Sequence, residues 1–70
     1  MKIYTLLIID RHCDPQVMVF RKDYEAEEEA ATRAEKCWKR SGLNFNRGIT
    51  GLLSITCEDV GSMEVQEHEI

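Results

Sequence analysis

The segment IYTLLIID, residues 3–10, decides how the rest of this chain must fold. It is long enough for a β-strand, yet its apolar residues do not alternate with polar ones. In an extended strand the odd-numbered residues point to one side and the even-numbered residues to the other, and here both sets are mainly apolar. A strand of this kind needs cover on both faces of its sheet. The rest of the chain, or a partner, must therefore supply two layers of cover.

The segment QVMVF, residues 16–20, predicts a second strand that is also apolar on both sides. Val17 and Val19 take one side, and Met18 and Phe20 take the other. The intervening Asp14-Pro15 pair favours a turn, because proline presets φ and aspartate can bond its own backbone. Two strands joined by so short a connection predict an antiparallel hairpin.

Residues 24–41 predict a helix, because the segment is rich in alanine, glutamate, lysine and arginine. Asp23 is the expected N-cap, and Gly42 suits the left-handed position that ends a helix. The expected inner stripe, at helical spacing, consists of Ala26, Ala30, Ala34, Cys37 and Trp38. A stripe made mostly of alanine can lie close to a sheet, but one helix covers only one face.

The C-terminal part predicts a loop at residues 42–48, a strand at 49–57 and a short, polar edge strand around 63–66. The expected order is β-β-α-β-β, an α+β fold in which a four-stranded antiparallel sheet carries one helix on one face. Seventy residues form a single domain, 1–70, with a thin core. Such a core needs support from a disulfide, a metal ion or a partner chain.

Composition narrows the choice among these supports. The chain has 13 acidic and 9 basic residues, a net charge of −4, which disfavours non-specific binding to nucleic acid. Its three cysteines cannot all pair within one chain. No secretory signal and no apolar run of membrane-spanning length is found. We therefore expect a cytoplasmic protein with reduced thiols and no membrane contact, which favours a partner chain.

Residues 11–14, RHCD, form the segment most suggestive of chemistry. A histidine beside a cysteine can activate a thiolate, but sequence neighbours point apart and no third orienting group is evident. The possible metal ligands lack the close spacing typical of zinc sites: His12, Cys13, Asp14, Cys37, Cys57 and His68. Cys37 and Cys57 are instead expected to be small residues of the core. The sequence predicts no catalytic residue, metal site or cofactor.

Because the helix covers only one face, the hairpin is expected to keep an exposed apolar layer. Either layer can be the covered one. The residues expected at a protein interface are Tyr4, Leu6, Ile8, Met18 and Phe20. Even half of this set forms a patch of about a few hundred Å², the size that marks interaction sites. We therefore expect a non-enzymatic protein-binding module that forms a homodimer or docks on a larger protein.

Basic residues at the end of the predicted helix and in the 42–48 loop support an alternative, a small protein that binds single-stranded nucleic acid. The expected contacts are Lys36, Lys39, Arg40, Phe45 and Arg47. Cationic groups mixed with aromatic rings can contact phosphates and stack on bases. The same cations also suit the negative end of a helix. The acidic total makes this interpretation the second choice.

The segment KIYTLLIIDRHCDPQVMVFRKDYEAEEEA, residues 2–30, combines an acidic turn between two strands with an alanine- and glutamate-rich helix. In this it resembles a class of small uncharacterised phage and bacterial open reading frames with a D-R-H-x-D turn and a V-x-V-F strand. The matching residues are Asp10, Arg11, His12, Asp14, Val17, Val19 and Phe20. In size and build the chain is also similar to phage-encoded inhibitors of host defence, anti-CRISPR proteins among them. This resemblance implies a protein that blocks a host surface.

Overall fold

The computed structural model describes residues 1–38 and 42–70, which form one helix and a five-stranded antiparallel sheet. The elements are β1 (Lys2–Asp10), β2 (Gln16–Phe20), α1 (Asp23–Cys37), β3 (Leu43–Arg47), β4 (Leu53–Cys57) and β5 (Gly61–Glu69). The predicted α+β class and the β1–β2 hairpin are confirmed. The predicted number of strands is wrong by one.

The additional strand, β3, lies in the segment predicted to be a loop. Leu43–Arg47 pairs with β4, with Phe45 opposite Ile55. Glycine and asparagine around this segment favour turns locally, but pairing with a neighbouring strand overrides that weak preference. The turn lies later, where the Gly51 N–H donates to the Gly48 carbonyl at 2.9 Å and Gly51 has a φ of 78°. The predicted third strand therefore shortens to Leu53–Cys57.

The order of strands across the sheet is β2-β1-β5-β4-β3. β1 lies between β2 and β5 and pairs with β5 along its whole length, from Lys2 opposite Glu69 to Asp10 opposite Gly61. The two edges are formed by the short strands β2 and β3. In this order β1 has a hydrogen-bonded neighbour along each of its two edges. Strand pairing does not cover either of its two apolar faces, however.

Helix α1 begins one residue earlier than predicted, and its N-cap is Lys22 rather than Asp23. The Asp23 carboxylate accepts the N–H of Tyr24 at 2.7 Å. The helix ends at Cys37, and Trp38, with extended backbone angles, donates its N–H to the Ala34 carbonyl at 2.9 Å. Gly42 is thus not the residue that ends the helix. The rest of the predicted helix, residues 39–41, lies outside the described residues.

The core lies between α1 and one face of the sheet. The alanine stripe is confirmed, because Ala26, Ala30 and Ala34 are fully buried. They pack with Leu6 and Ile55, the largest side chains that are completely buried. The remaining buried side chains of the core are Ile8, Trp38, Leu53, Cys57, Met63 and Val65. Short alanine side chains allow the helix backbone to lie close to these larger side chains.

The two cysteines predicted to lie in the core have different surroundings. Cys57 is buried, as predicted, whereas Cys37 is exposed. The helix stripe continues from Ala34 to Trp38, one turn later, and Cys37 lies beside that stripe rather than on it. Cys37 is therefore a surface thiol.

Candidate functional site: the open face of the sheet

The face of the sheet opposite α1 carries a line of exposed apolar side chains at the β1–β2 end. We call Ile3, Leu7, Ile9, Val17 and Val19 the open stripe. Val17 and Val19 are 62% and 64% exposed, and Ile9 is 45% exposed. Ile3 and Leu7 are half-buried. The open stripe is therefore most accessible to another molecule at the sheet edge, at Val17 and Val19, and at Ile9 near the end of β1.

The strand register makes the open stripe continuous across two strands. Leu7 lies opposite Val17, and Thr5 lies opposite Val19. Side chains in such cross-strand pairs approach within about 5 Å and contact one another. No charged side chain lies within the stripe or at Thr5 between its members. The result is one apolar surface rather than scattered residues.

Polar side chains from β5 border the open stripe along its other side. Glu64 lies opposite Leu7, and His68 lies opposite Ile3. The Thr5 hydroxyl lies 2.9 Å from Nε2 of His68. The open face is thus apolar on β2 and β1 and polar from β5 onward, with a sharp boundary between the two.

The layer predicted to form the interface lies on the other face, beneath the helix. Leu6 and Ile8 are buried, and Tyr4, Met18 and Phe20 are half-buried and pack against the core. Their predicted exposure is therefore wrong, because α1 covers this layer and leaves the complementary one open. The Tyr4 hydroxyl donates to Glu67 at 3.2 Å. Burial, together with that carboxylate, raises the pKa of Tyr4.

Among the predicted nucleic-acid contacts that the structure describes, Lys36, Phe45 and Arg47 do not form one cluster. Lys36 is exposed near the end of α1, whereas Arg47 binds Glu27, with Nη1–Oε2 and Nη2–Oε1 distances of 2.6 and 3.0 Å. Glu27 precedes Lys36 by about 13 Å along the helix axis. Phe45 is 48% exposed on the edge strand β3. Lys39 and Arg40 lie outside the described residues.

Glu27 makes an anchoring contact that the sequence did not predict. Besides bonds from the two terminal nitrogens of Arg47, its carboxylate accepts the backbone N–H of Leu53 at 3.2 Å. The hydrogen bond from Arg47 lowers the pKa of Glu27 and raises that of Arg47. The partners are distant in sequence, and one lies in the segment predicted to be a loop. The contact ties the helix to β3 and β4.

The RHCD segment forms a hydrogen-bonded turn. The Asp10 carboxylate accepts the His12 N–H at 2.8 Å and the Trp38 Nε1–H at 3.0 Å, and the first of these bonds contributes most to its lowered pKa. Arg11 donates to the Asp59 carbonyl at 2.7 Å, and Cys13 is exposed. These bonds hold the turn against Trp38, which directly follows α1, and against the β4–β5 connection. They stabilise the fold.

An open cavity of about 540 Å³ lies beside this turn. Its lining residues are Asp10, His12, Cys37, Trp38, Gly42, Cys57, Glu58, Asp59 and Val60. In the described parts of the chain, no group of three or more histidine, cysteine, aspartate or glutamate side chains is arranged to hold a metal ion. The carboxylate of Asp10 is already bound to Trp38 and His12.

Comparisons with family models, with curated proteins and with solved structures find no match to this chain. The similarity to phage-encoded host-defence inhibitors therefore stays a prediction from the sequence. Among residues 1–38 and 42–70, no helix has both the length and the apolar character needed to cross a membrane.

Proposed function

We propose that this protein is a non-enzymatic protein-binding module that acts through its open stripe. The observation that carries the proposal is the exposure of Val17, Val19 and Ile9 on a sheet face that the helix leaves uncovered. Singly exposed apolar residues are common on protein surfaces. A continuous patch of about a few hundred Å² is instead typical of an interaction site.

The occupant that this surface fits is a second copy of the chain. Two sheet faces with apolar stripes can pack at a separation of about 10 Å, as in a β-sandwich. The contact is self-complementary about a two-fold axis, because an uncharged stripe meets an identical uncharged stripe. A 70-residue chain with a thin core also gains stability from a partner chain. Face-to-face pairing would give β1 cover on both sides.

Light scattering of the purified chain and of a Leu7→Lys variant tests this proposal. The lysine lies at the centre of the open stripe and opposite Glu64, so it introduces a charge into the stripe, and a new cross-strand pair with Glu64 helps the single chain to tolerate it. We expect the variant to have half the mass of the unmodified assembly. The matched control is Ile49→Lys, because Ile49 is fully exposed but lies in the β3–β4 turn. An unchanged mass for a folded Leu7→Lys variant would refute the proposal.

A further inference from the structure

Strand β2 is an edge of the sheet. Whether the odd- or the even-numbered residues of β1 bond to β2 determines which backbone groups of β2 face outward. At one end of the β1–β5 ladder the Arg11 N–H donates to the Val60 carbonyl at 2.9 Å. At the other end the Ile70 N–H donates to the Met1 carbonyl at 2.8 Å. Met1 and Arg11 directly flank β1, Ile70 and Val60 directly flank β5, and both bonds continue the β1–β5 register with odd-numbered residues on the β1 side. In an antiparallel ladder this parity alternates, so the even-numbered residues of β1 bond to β2.

The register then identifies the free groups of β2. Leu6 lies opposite Met18, and this even-numbered pair is hydrogen-bonded. Val17 and Val19 lie between such pairs, so their N–H and C=O groups point away from β1. No turn, loop or cap bond in the described chain uses these groups. β2 thus presents two donors and two acceptors along its outer edge.

The two edges of the sheet differ in how they are protected against pairing. Edge strands commonly carry charges, proline or a bulge that prevent another strand from adding. β3 includes Arg47 and two asparagines, residues that are poor strand formers or charged. The QVMVF sequence of β2 has no charge and no proline, and its residues pair with β1 without a bulge. β2 is therefore the edge that is open to strand addition.

We propose that β2 pairs antiparallel with β2 of a second copy, about a two-fold axis that passes through Met18. In this register Val17 of each copy lies opposite Val19 of the other. These are the residues whose backbone groups face outward, so each donor meets an acceptor. Any symmetric register centred on Val17 instead would place Pro15, which lacks an N–H, opposite Val19.

Charge complementarity supports the Met18-centred register. It places Asp14 of each copy opposite Lys22 of the other, just beyond the two ends of β2. Both side chains are exposed. Opposite charges facing each other across paired strands are stabilising, whereas like charges are not. On the helix face, the half-buried Met18 side chains of the two copies would meet at the axis and cover each other.

This edge contact uses a different surface from the face contact under the proposed function, so the two can occur together. Edge pairing merges two sheets into one of twice the width and joins the two open stripes into a single band. Face pairing then stacks two such sheets. Perpendicular two-fold axes of this kind give a D2 tetramer, a common closed symmetry.

Two variants, Val19→Pro and Leu7→Lys, distinguish the edge contact from the face contact. Val19→Pro removes an outward N–H and leaves the bonds to β1 intact, a position where edge strands tolerate proline. The matched control is Val19→Thr, which keeps the N–H and the side-chain shape but also changes the stripe. By light scattering we expect a tetramer for the unmodified chain. We expect a dimer for Val19→Pro and a dimer for Leu7→Lys. The double variant should be a monomer.

The outcomes distinguish the two proposals. If a folded Val19→Pro variant keeps the unmodified mass, the edge contact is refuted, and a loss of mass in Leu7→Lys alone would then leave the face contact standing. If Val19→Pro and Val19→Thr lose mass equally, the side chain rather than the edge N–H is responsible, and the edge contact is likewise refuted. An unmodified chain that is monomeric contradicts both contacts.

Amide hydrogen exchange gives a readout that needs no substitution. In the proposed assembly the amides of Val17 and Val19 are protected at high protein concentration and lose protection on dilution. The Met18 amide, bonded to β1, should stay protected at every concentration. Val17 and Val19 amides that exchange rapidly at all concentrations would overturn the edge pairing, even if proline at position 19 unfolded the chain.

Discussion

At the scale of single residues, Glu27 is the polar side chain with the most consequence for the fold. Its side chain is 19% exposed and accepts bonds from both terminal nitrogens of Arg47 and from the Leu53 backbone. Hydrogen bonds to an ionised group are stronger than neutral ones. A charged bond between this carboxylate and the half-exposed Arg47 therefore holds α1 against the β3–β4 hairpin.

Replacing Glu27 by glutamine should destabilise the protein. The glutamine side chain would keep one acceptor oxygen but lose the charge, and because Arg47 is half-exposed the expected loss is about 0.5–1.5 kcal/mol in the free energy of unfolding. Urea denaturation followed by circular dichroism measures it. The control is Glu28→Gln, an exposed neighbour in the same helix, for which we expect little change. Equal effects for the two variants would contradict an anchoring role for Glu27.

The same carboxylate predicts a dependence of stability on pH. Arg47 lowers the pKa of Glu27 in the folded protein below its ordinary value of 4.5. Below that value the unfolded chain binds a proton more readily than the folded one, so this contribution is present at neutral pH and is lost as pH falls. The stability difference between the unmodified chain and Glu27→Gln should be constant from about pH 6 to 8 and should shrink below about pH 4.5. A difference that grew on acidification would be inconsistent with the sign of the shift.

Gly61 illustrates a constraint set by close approach of two strands. A Cβ atom at this position would overlap the carbonyl oxygen of Ile9 in the neighbouring strand β1. Gly61→Ala should therefore cost about 1–3 kcal/mol through displacement of the backbone. Thermal unfolding measures the loss, with Gly48→Ala as control because a Cβ there meets nothing within 4 Å. A Gly61→Ala variant as stable as the control would show that the strands separate at no cost.

At the scale of elements, the alanine stripe of α1 sets the distance between helix and sheet. Ala26, Ala30 and Ala34 are at most 1% exposed and face large side chains of β1 and β4. Helix propensity alone would favour alanine anywhere in this segment. Its concentration on the buried side shows that packing also requires small residues there.

Ala30→Leu should accordingly be destabilising, although leucine is a good helix former. The larger side chain would have to push α1 away from the sheet, with an expected cost of about 1–3 kcal/mol. Thr32→Leu, on the exposed side of the same helix, adds similar bulk and should be close to neutral. Chemical denaturation of both variants makes the comparison, and a neutral Ala30→Leu would mean that the interface has spare volume.

At the scale of the whole molecule, the uneven distribution of apolar surface separates the two proposed classes of partner. The open stripe is uncharged, and the Arg47 charge is neutralised by Glu27. The acidic total opposes approach to phosphates. These charges are the reason that we propose a protein partner rather than nucleic acid.

This difference predicts the result of a salt titration. Fluorescence anisotropy of a labelled oligothymidine should show no binding at low salt, whereas a nucleic-acid binder would show affinity that falls steeply with added salt. Binding that is lost in an Arg47→Ala variant would contradict the protein-binding proposal. A Lys2→Ala variant, at a position on β1 away from the β3 edge, serves as control.

Several features of this protein follow from the sequence by itself. The α+β class, the β1–β2 hairpin, the position of the helix and its alanine stripe follow from local composition and periodicity, which depend on residues close together in the chain. The existence of one uncovered apolar layer also follows, because a single helix cannot cover both sides of a hairpin. Strand β3 does not follow, because LNFNR becomes a strand only through pairing with β4.

Which layer stays open was decided by tertiary structure alone. The two layers of β1 are about equally apolar, so composition cannot distinguish them. The register of β5 does distinguish them: its buried Met63 and Val65 lie opposite Ile8 and Leu6, while Glu64 lies opposite Leu7. A shift of one residue in that register would exchange the two faces. The pairing of β1 with β5, strands far apart in the chain, therefore put Leu6 and Ile8 in the core and left the open stripe uncovered.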